Sequence, residues 1–181
     1  MCKECGINPV YEFTNQRKLC KNCYVRWFEK KFLYTVRKFD MFSKGDVIGF
    51  KKGRDLQSVV LENLLKMYSS KAFVEIVFST SKKANKFVLA DTTSSISFDF
   101  VDGLVEADVS KLKLKPVEGK FVRPLYLFLD KEVLLYAKIK GLKFKEKKIS
   151  SDKLREFFNS LEKKHPEIEQ AVVQSYLGLF F

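Results

Sequence analysis

The chain has 181 residues and a formal net charge of +12, with 34 Lys and Arg against 22 Asp and Glu. This length allows one hydrophobic core of roughly 100 to 150 residues and a second, small module that needs a metal to fold. A membrane helix needs roughly 18 to 20 apolar residues, and charged residues interrupt the longest apolar run, 122–135. We therefore expect a soluble, cytoplasmic protein made of two units.

All four cysteines lie within the first 23 residues, as Cys2 with Cys5 and Cys20 with Cys23. Two residues separate the members of each pair, and 14 residues separate the pairs. Two such pairs bring four thiolates to one tetrahedral ion, with a hairpin between them. The pattern predicts a zinc ribbon. Its Zn²⁺ would stabilise the fold, because a closed four-thiolate site has no open position for catalysis.

Two other interpretations of the cysteines remain open. Two disulfides would need an oxidising compartment, and we expect no signal peptide in a chain that begins Met1-Cys2. A single iron ion fits the same four thiolates as zinc, and the spacing does not distinguish the two metals. We expect zinc.

The first quarter of the chain is its most basic part. Residues 1–45 contain ten Lys or Arg and four Asp or Glu, which is half of the net charge. Clustered positive charge is typical of a surface that binds a polyanion, although a solubilising surface has the same composition. We favour the polyanion because the charge lies beside the cysteine pairs.

Residues 24–42 repeat apolar side chains at helical spacing. At about 100° per residue, one face carries Val25, Phe28, Phe32, Val36 and Phe39. The opposite face carries Arg26, Lys30 and Arg37. We expect the apolar face to pack on a core, and the basic face to lie along a nucleic-acid backbone or to be an ordinary solvated surface. Trp27 and Tyr34 flank the basic face, but aromatic side chains are more often part of a core than platforms for bases.

The rest of the chain alternates strand and helix patterns. Strands are predicted at 47–50, 72–78 and 86–90, and helices at 58–67, 131–140 and 151–164, while 94–105 fits either. This alternation predicts an α/β fold with a parallel sheet covered by helices. The predicted domains are a zinc ribbon at 1–23, a basic linking helix at 24–44 and an α/β domain at 45–181.

Several phrases occur in the order found in one enzyme family. After the cysteine pairs come YTVRKF at 34–39, VRPL at 122–125 with KEV and YA before Gly141, and LEKKHP at 161–166. Together they resemble the tRNA 2-thiouridine synthetases, PP-loop ATP pyrophosphatases that place sulfur on tRNA uridines. The resemblance implies an adenine nucleotide alpha hydrolase-like fold, here in shortened form.

The departures from that family concern its catalytic motifs. Where the family has an SGGxDS loop, this chain has Lys51, Lys52, Gly53, Arg54 and Asp55 followed by a leucine. A bulky side chain at the second of these positions would keep the backbone amides from closing around a pyrophosphate. Residues 91–95 lack the family's GHxxDD pattern, and no cysteine follows residue 23. These departures predict a vestigial nucleotide loop, a degenerate PP-loop domain and no enzyme activity.

The resemblance implies a partner and a role. We expect a non-catalytic tRNA-binding or scaffolding partner in tRNA uridine 2-thiolation, paired with an active synthetase paralogue. The expected phosphate contacts are Arg17, Lys18, Lys21, Arg26, Lys30 and Arg37. The alternative is a free-standing zinc-ribbon protein, unrelated to thiolation, that binds nucleic acid or has a regulatory role. Residual ATP hydrolysis by the divergent loop is a third possibility.

Overall fold

A computed structural model describes residues 1–72, 74–77, 83–108, 115–146 and 153–180. The strands are β1 (Tyr11–Glu12), β2 (Lys18–Leu19), β3 (Val47–Phe50), β4 (Glu75–Val77), β5 (Lys86–Val88), β6 (Val117–Glu118) and β7 (Phe121–Val122). The helices are α1 (Lys21–Lys38), α2 (Leu56–Ser69), α3 (Thr93–Val105), α4 (Asp130–Lys140), α5 (Lys153–Lys164) and α6 (Ile168–Phe180). None of the helices in these ranges is long and apolar enough to cross a membrane.

The N-terminal hairpin consists of β1 and β2, which pair antiparallel with Tyr11 opposite Leu19. The Phe13 amide donates to the Arg17 carbonyl at 2.9 Å, and Gln16 takes a positive φ of 63° in the turn. The structure therefore contains the hairpin that the spacing of the cysteine pairs predicts. Its second strand runs directly into α1, so the hairpin and the helix are continuous.

Five strands form the central sheet in the order β4-β3-β5-β7-β6. Strands β4, β3, β5 and β7 are parallel, and β6 runs antiparallel to β7. The predicted α/β fold with a parallel sheet is confirmed. Neither β7 nor the antiparallel β6 has a counterpart among the predicted strands, because a strand of two residues is too short to show alternation.

Helix α1 connects the hairpin to the sheet domain and buries one face. Its buried residues are Tyr24, Phe28, Phe32, Thr35 and Val36. The Phe28 ring stacks on Tyr136 of α4, with centroids 4.2 Å apart. Val25 and Phe39, which the periodicity assigns to the core face, are only half-buried. The buried face is thus rotated slightly from the predicted one, toward Tyr24 and Thr35.

Side-chain caps decide where two helices begin. The Asp55 carboxylate accepts from the Ser58 amide at the start of α2. Thr92 and Ser95 form a capping box at the start of α3, which fixes the ambiguous segment 94–105 as helix. Both caps lie where the chain leaves the carboxyl end of a parallel strand.

The C-terminal helices pack on α3. Phe100 of α3 and Tyr176 of α6 approach with ring centroids 5.3 Å apart, and both Val173 and Tyr176 are buried. Helix α6 is absent from the predicted elements. The predicted helix at 151–164 is present as α5, but its first two residues lie outside the described residues, as do residues 73 and 78 of the predicted strand 72–78.

Candidate metal centre and basic surfaces

The four cysteines come together in one cluster. The sulfur atoms of Cys2, Cys5, Cys20 and Cys23 all lie within 4.8 Å of one another. The Cys5 sulfur is 3.4 Å from that of Cys20 and 3.7 Å from that of Cys23. A tetrahedral ion with metal–sulfur bonds of about 2.3 Å holds its ligands about 3.8 Å apart. The residues therefore fit a single metal ion.

Local backbone geometry builds this cluster. The Gly6 amide donates to the Cys2 carbonyl at 2.9 Å, and Gly6 adopts a φ of 73° that favours glycine. Cys20 is the residue that precedes the first turn of α1, and Cys23 lies within that turn. A tight turn and a helix start thus present the two cysteine pairs to one point.

The same distances do not identify the metal. Zinc and a single iron ion need the same tetrahedral set of sulfurs. The cluster therefore establishes a possible metal site, and zinc remains a prediction.

The predicted phosphate contacts divide into two groups. Arg17 forms an ion pair with Glu4 at 2.8 Å, and Lys18 forms one with Glu12 at 3.0 Å. The other four, Lys21, Arg26, Lys30 and Arg37, are exposed on α1. We call Arg26, Lys30 and Arg37 the α1 ridge, since their spacing places them on one face of the helix. The half-exposed Tyr34 ring lies beside this ridge, whereas Trp27 packs in an aromatic cluster with Tyr11 and Phe13.

A buried ion pair lies on the other side of the same helix. The Lys31 ammonium is 2.6 Å from the Glu132 carboxylate of α4, and the two side chains are 17% and 2% exposed. Burial lowers the pKa of Lys31, although Glu132 opposes this effect. The ammonium also lies 4.8 Å from the ring centroids of Trp27 and Phe128. Helical periodicity alone does not show that a lysine is buried, so the sequence does not predict this pair.

The loop after β3 closes tightly on the start of α2. A Cβ on Gly53 would collide with the Asp55 carboxylate and the Ser58 hydroxyl, so only glycine fits there. Lys52 reaches back to Glu62 of α2 at 3.4 Å. The assignment of residues 51–55 as a vestigial nucleotide loop stays a prediction.

A polar network lies at the carboxyl edge of the sheet. The order in which successive strands join the sheet reverses at β3, since β4 lies on one side of β3 and β5 on the other. Open α/β sheets bind ligands at such a point. There the Asp130 carboxylate accepts from Gln57 at 3.0 Å and from Thr92 at 2.8 Å. The Ser94 hydroxyl accepts from the Asp130 amide and donates to Glu169 at 2.8 Å. The signal that could have located this network is the run of polar residues directly after the strand at 86–90.

Glu169 gives this network a testable pH dependence. Burial, together with the negative charges of Glu162 and Asp130, raises the pKa of Glu169 to about 7. Because the folded state holds this proton more tightly than the unfolded chain does, stability should fall as pH rises from about 4.5 to about 7. Glu169→Gln should therefore stabilise the protein at pH 8 by at most about 3 kcal/mol, and by much less at pH 5, in urea unfolding. The exposed Glu167→Gln is the control and should change stability by less than about 0.5 kcal/mol at both pH values. If Glu169→Gln is no more stable than wild type at pH 8, the pKa of Glu169 is not raised in the folded protein.

Comparison with known proteins identifies the fold. No protein-family model and no curated protein matches the chain. Among solved structures, the chain is similar to the U34-tRNA thiolase NcsA from Methanococcus maripaludis, whose structure contains a four-iron, four-sulfur cluster. The TM-score is 0.80 at 17% sequence identity, over 98% of this chain and 86% of the thiolase. At this identity the match establishes a shared fold.

This match corrects one prediction from the sequence. The expectation of no enzyme activity depended on loop residues and cysteines that differ from a family pattern. The structure instead shares the fold of a thiolase over 98% of the chain, which includes both the N-terminal hairpin and the central sheet. The prediction that the chain is not an enzyme is therefore wrong, because the solved structure that shares its fold is a thiolase.

Proposed function

We propose that this chain is a tRNA-binding subunit of an enzyme that places sulfur on tRNA uridines at the 2-position. The observation that carries the proposal is the similarity to a U34-tRNA thiolase over 98% of the chain. The exposed α1 ridge beside the cysteine cluster supports it, because a row of arginine and lysine side chains suits an RNA backbone.

The cysteine cluster has a structural role in this proposal. Cys2, Cys5, Cys20 and Cys23 would hold one Zn²⁺, which joins the hairpin to the first turn of α1. Four thiolate ligands fill a tetrahedral ion, so the metal would contribute folding free energy and fix the direction of α1. The ridge would then be presented to RNA on a rigid helix.

The proposal includes a second chain of the same fold. Lys51 and Lys52 occupy positions where the family pattern has small residues that let backbone amides surround a pyrophosphate. A paralogue with a complete PP-loop would supply bound ATP to the shared reaction, and this chain would contribute RNA contacts to the same enzyme. The two chains would form a heteromer.

Deleting the gene tests the function directly. We expect 2-thiouridine to disappear from bulk tRNA, as measured by mass spectrometry of nucleosides, and to return when the wild-type gene is restored. Tagged protein purified from the native extract should carry tRNA and a second chain of the same fold. Unchanged 2-thiouridine in the deletion strain would refute the proposal.

The α1 ridge gives a second test. The triple variant Arg26→Gln, Lys30→Gln, Arg37→Gln should bind tRNA at least about 10-fold more weakly near 0.15 M salt, because up to three phosphate contacts are lost. Fluorescence anisotropy with an unmodified tRNA transcript measures this change. The fold should be unaffected, since the three side chains are exposed.

A matched control removes three charges elsewhere. Lys153, Lys163 and Lys164 of α5 are exposed, and their triple change to Gln should alter tRNA affinity by less than about 2-fold if charge position matters. If the two triple variants lose tRNA affinity equally, the net charge of the protein determines the affinity and the position of the charges does not. Wild-type binding of double-stranded DNA as tight as that of tRNA would favour a general nucleic-acid-binding protein.

A further inference from the structure

A second basic surface lies in a groove far along the sequence from the α1 ridge. Two segments line it: the loop and helix start around Gly53, Arg54 and Val59, and residues 143–145 after α4. The groove has a volume of about 250 Å³ and is open to solvent. The Lys145 amide donates to the Arg54 carbonyl at 2.7 Å, which fixes the two segments side by side.

The lining of this groove combines charged and apolar side chains. Arg54, Lys143 and Lys145 are exposed around it. Val59 and Phe144 also line the groove, and Phe144 packs against the main hydrophobic core. A chain of phosphates with nonpolar sugar and base surfaces between them matches this arrangement, because cations attract the phosphates and an aromatic ring can contact a base.

The start of α2 explains why a polymer suits the groove better than a compact phosphate group. The helix end that would attract such a group is capped by the Asp55 carboxylate, which accepts from the Ser58 amide at 3.0 Å. The loop lies directly against this cap, because a Cβ added to Gly53 would collide with the side chains of Asp55 and Ser58. The start of α2 is thus already capped by the chain itself, while Arg54, Lys143 and Lys145 are exposed.

We propose that this groove, which we call the 54/143–145 groove, binds the sugar-phosphate backbone of the RNA at a point separate from the α1 ridge. The inference rests on the proposed function, since it assigns a second contact for the same tRNA. The two basic surfaces would hold one RNA at two places and so fix its orientation on the protein. Phosphate contacts of this kind position an RNA without reading its sequence.

The test is the double variant Lys143→Gln, Lys145→Gln in the full chain, with the exposed pair Lys163→Gln, Lys164→Gln as the matched control. The groove variant should bind an unmodified tRNA transcript about 10-fold more weakly near 0.15 M salt. The slope of log affinity against log salt should fall by between about 1 and 2, since each lost phosphate contact lowers it by roughly 0.7 to 0.9. The control variant should keep both the affinity and the slope of wild type.

The outcomes separate this inference from the proposed function. If the wild-type protein binds tRNA and the groove variant binds it as tightly as the control variant does, the RNA assignment of the groove is wrong. The proposed function would be unaffected by that result. Wild-type protein with no affinity for tRNA would overturn both. Calorimetry with ATP and Mg²⁺ tests whether the groove instead binds the phosphates of a free nucleotide. If wild type binds ATP saturably, and the groove variant loses ATP binding but keeps its tRNA binding, the groove is a nucleotide site and the RNA assignment is wrong.

Discussion

Replacing Cys20 with Ser is expected to unfold the N-terminal hairpin and to weaken tRNA binding at least about 10-fold near 0.15 M salt. The Cys20 side chain is buried, its sulfur lies 3.4 Å from that of Cys5, and the residue directly precedes the first turn of α1. Zinc bound by such a module contributes about 10 to 16 kcal/mol to folding, and a hairpin of this size has too little core to fold alone. Losing the metal would also release the start of α1, where the ridge begins at Arg26.

Metal content and thermal unfolding measure this effect. Wild type should contain one zinc ion per chain, and Cys20→Ser should contain much less and lose the hairpin's protection from hydrogen exchange. A chelator added to wild type should reproduce the variant. Thr14→Ala, an exposed change in the same hairpin, should keep the metal. Iron in place of zinc would refute the identity of the ion, and full stability of Cys20→Ser without metal would refute its structural role.

Local patterns in the sequence are sufficient for much of this fold. The cysteine spacing predicts the cluster, because four ligands in two short pairs leave few geometries. Strand β3 and helix α2 follow from an apolar run, a turn and a helical repeat. Helix α3 could not be assigned from periodicity, since Thr92 and Ser95 decide it through a capping box of two short side chains.

The parts that could not be predicted depend on contacts between distant residues. Lys30 and Lys31 are identical neighbours in the sequence, yet the first is exposed and the second is buried against Glu132, 101 positions away. The 54/143–145 groove likewise requires that residues after α4 meet the loop after β3. Short motifs led to a wrong prediction. Loop residues that differ from a family pattern predicted the loss of enzyme activity, whereas the fold of the chain as a whole is similar to that of a thiolase.

The second large effect is expected from the buried pair of Lys31 and Glu132. Lys31→Met should destabilise the protein by about 3 to 5 kcal/mol, because it leaves the Glu132 carboxylate, 2% exposed, without its cation. Urea unfolding followed by circular dichroism measures this difference. Lys30→Met, the exposed neighbour, is the matched control and should change stability by less than about 0.5 kcal/mol.

The double variant separates a buried charge from a merely well-packed side chain. Lys31→Met with Glu132→Gln removes both charges, so it should recover most of the stability that Lys31→Met loses. The Glu132 carboxylate also accepts from the Leu129 amide at 3.0 Å, and its charge adds to burial in raising the pKa of Tyr11 in the hairpin. Glu132 thus joins the hairpin, α1 and α4 in one interior network. If the double variant is as unstable as Lys31→Met alone, packing rather than charge holds these parts together, and the ion pair has no special role in fixing the ridge on the sheet domain.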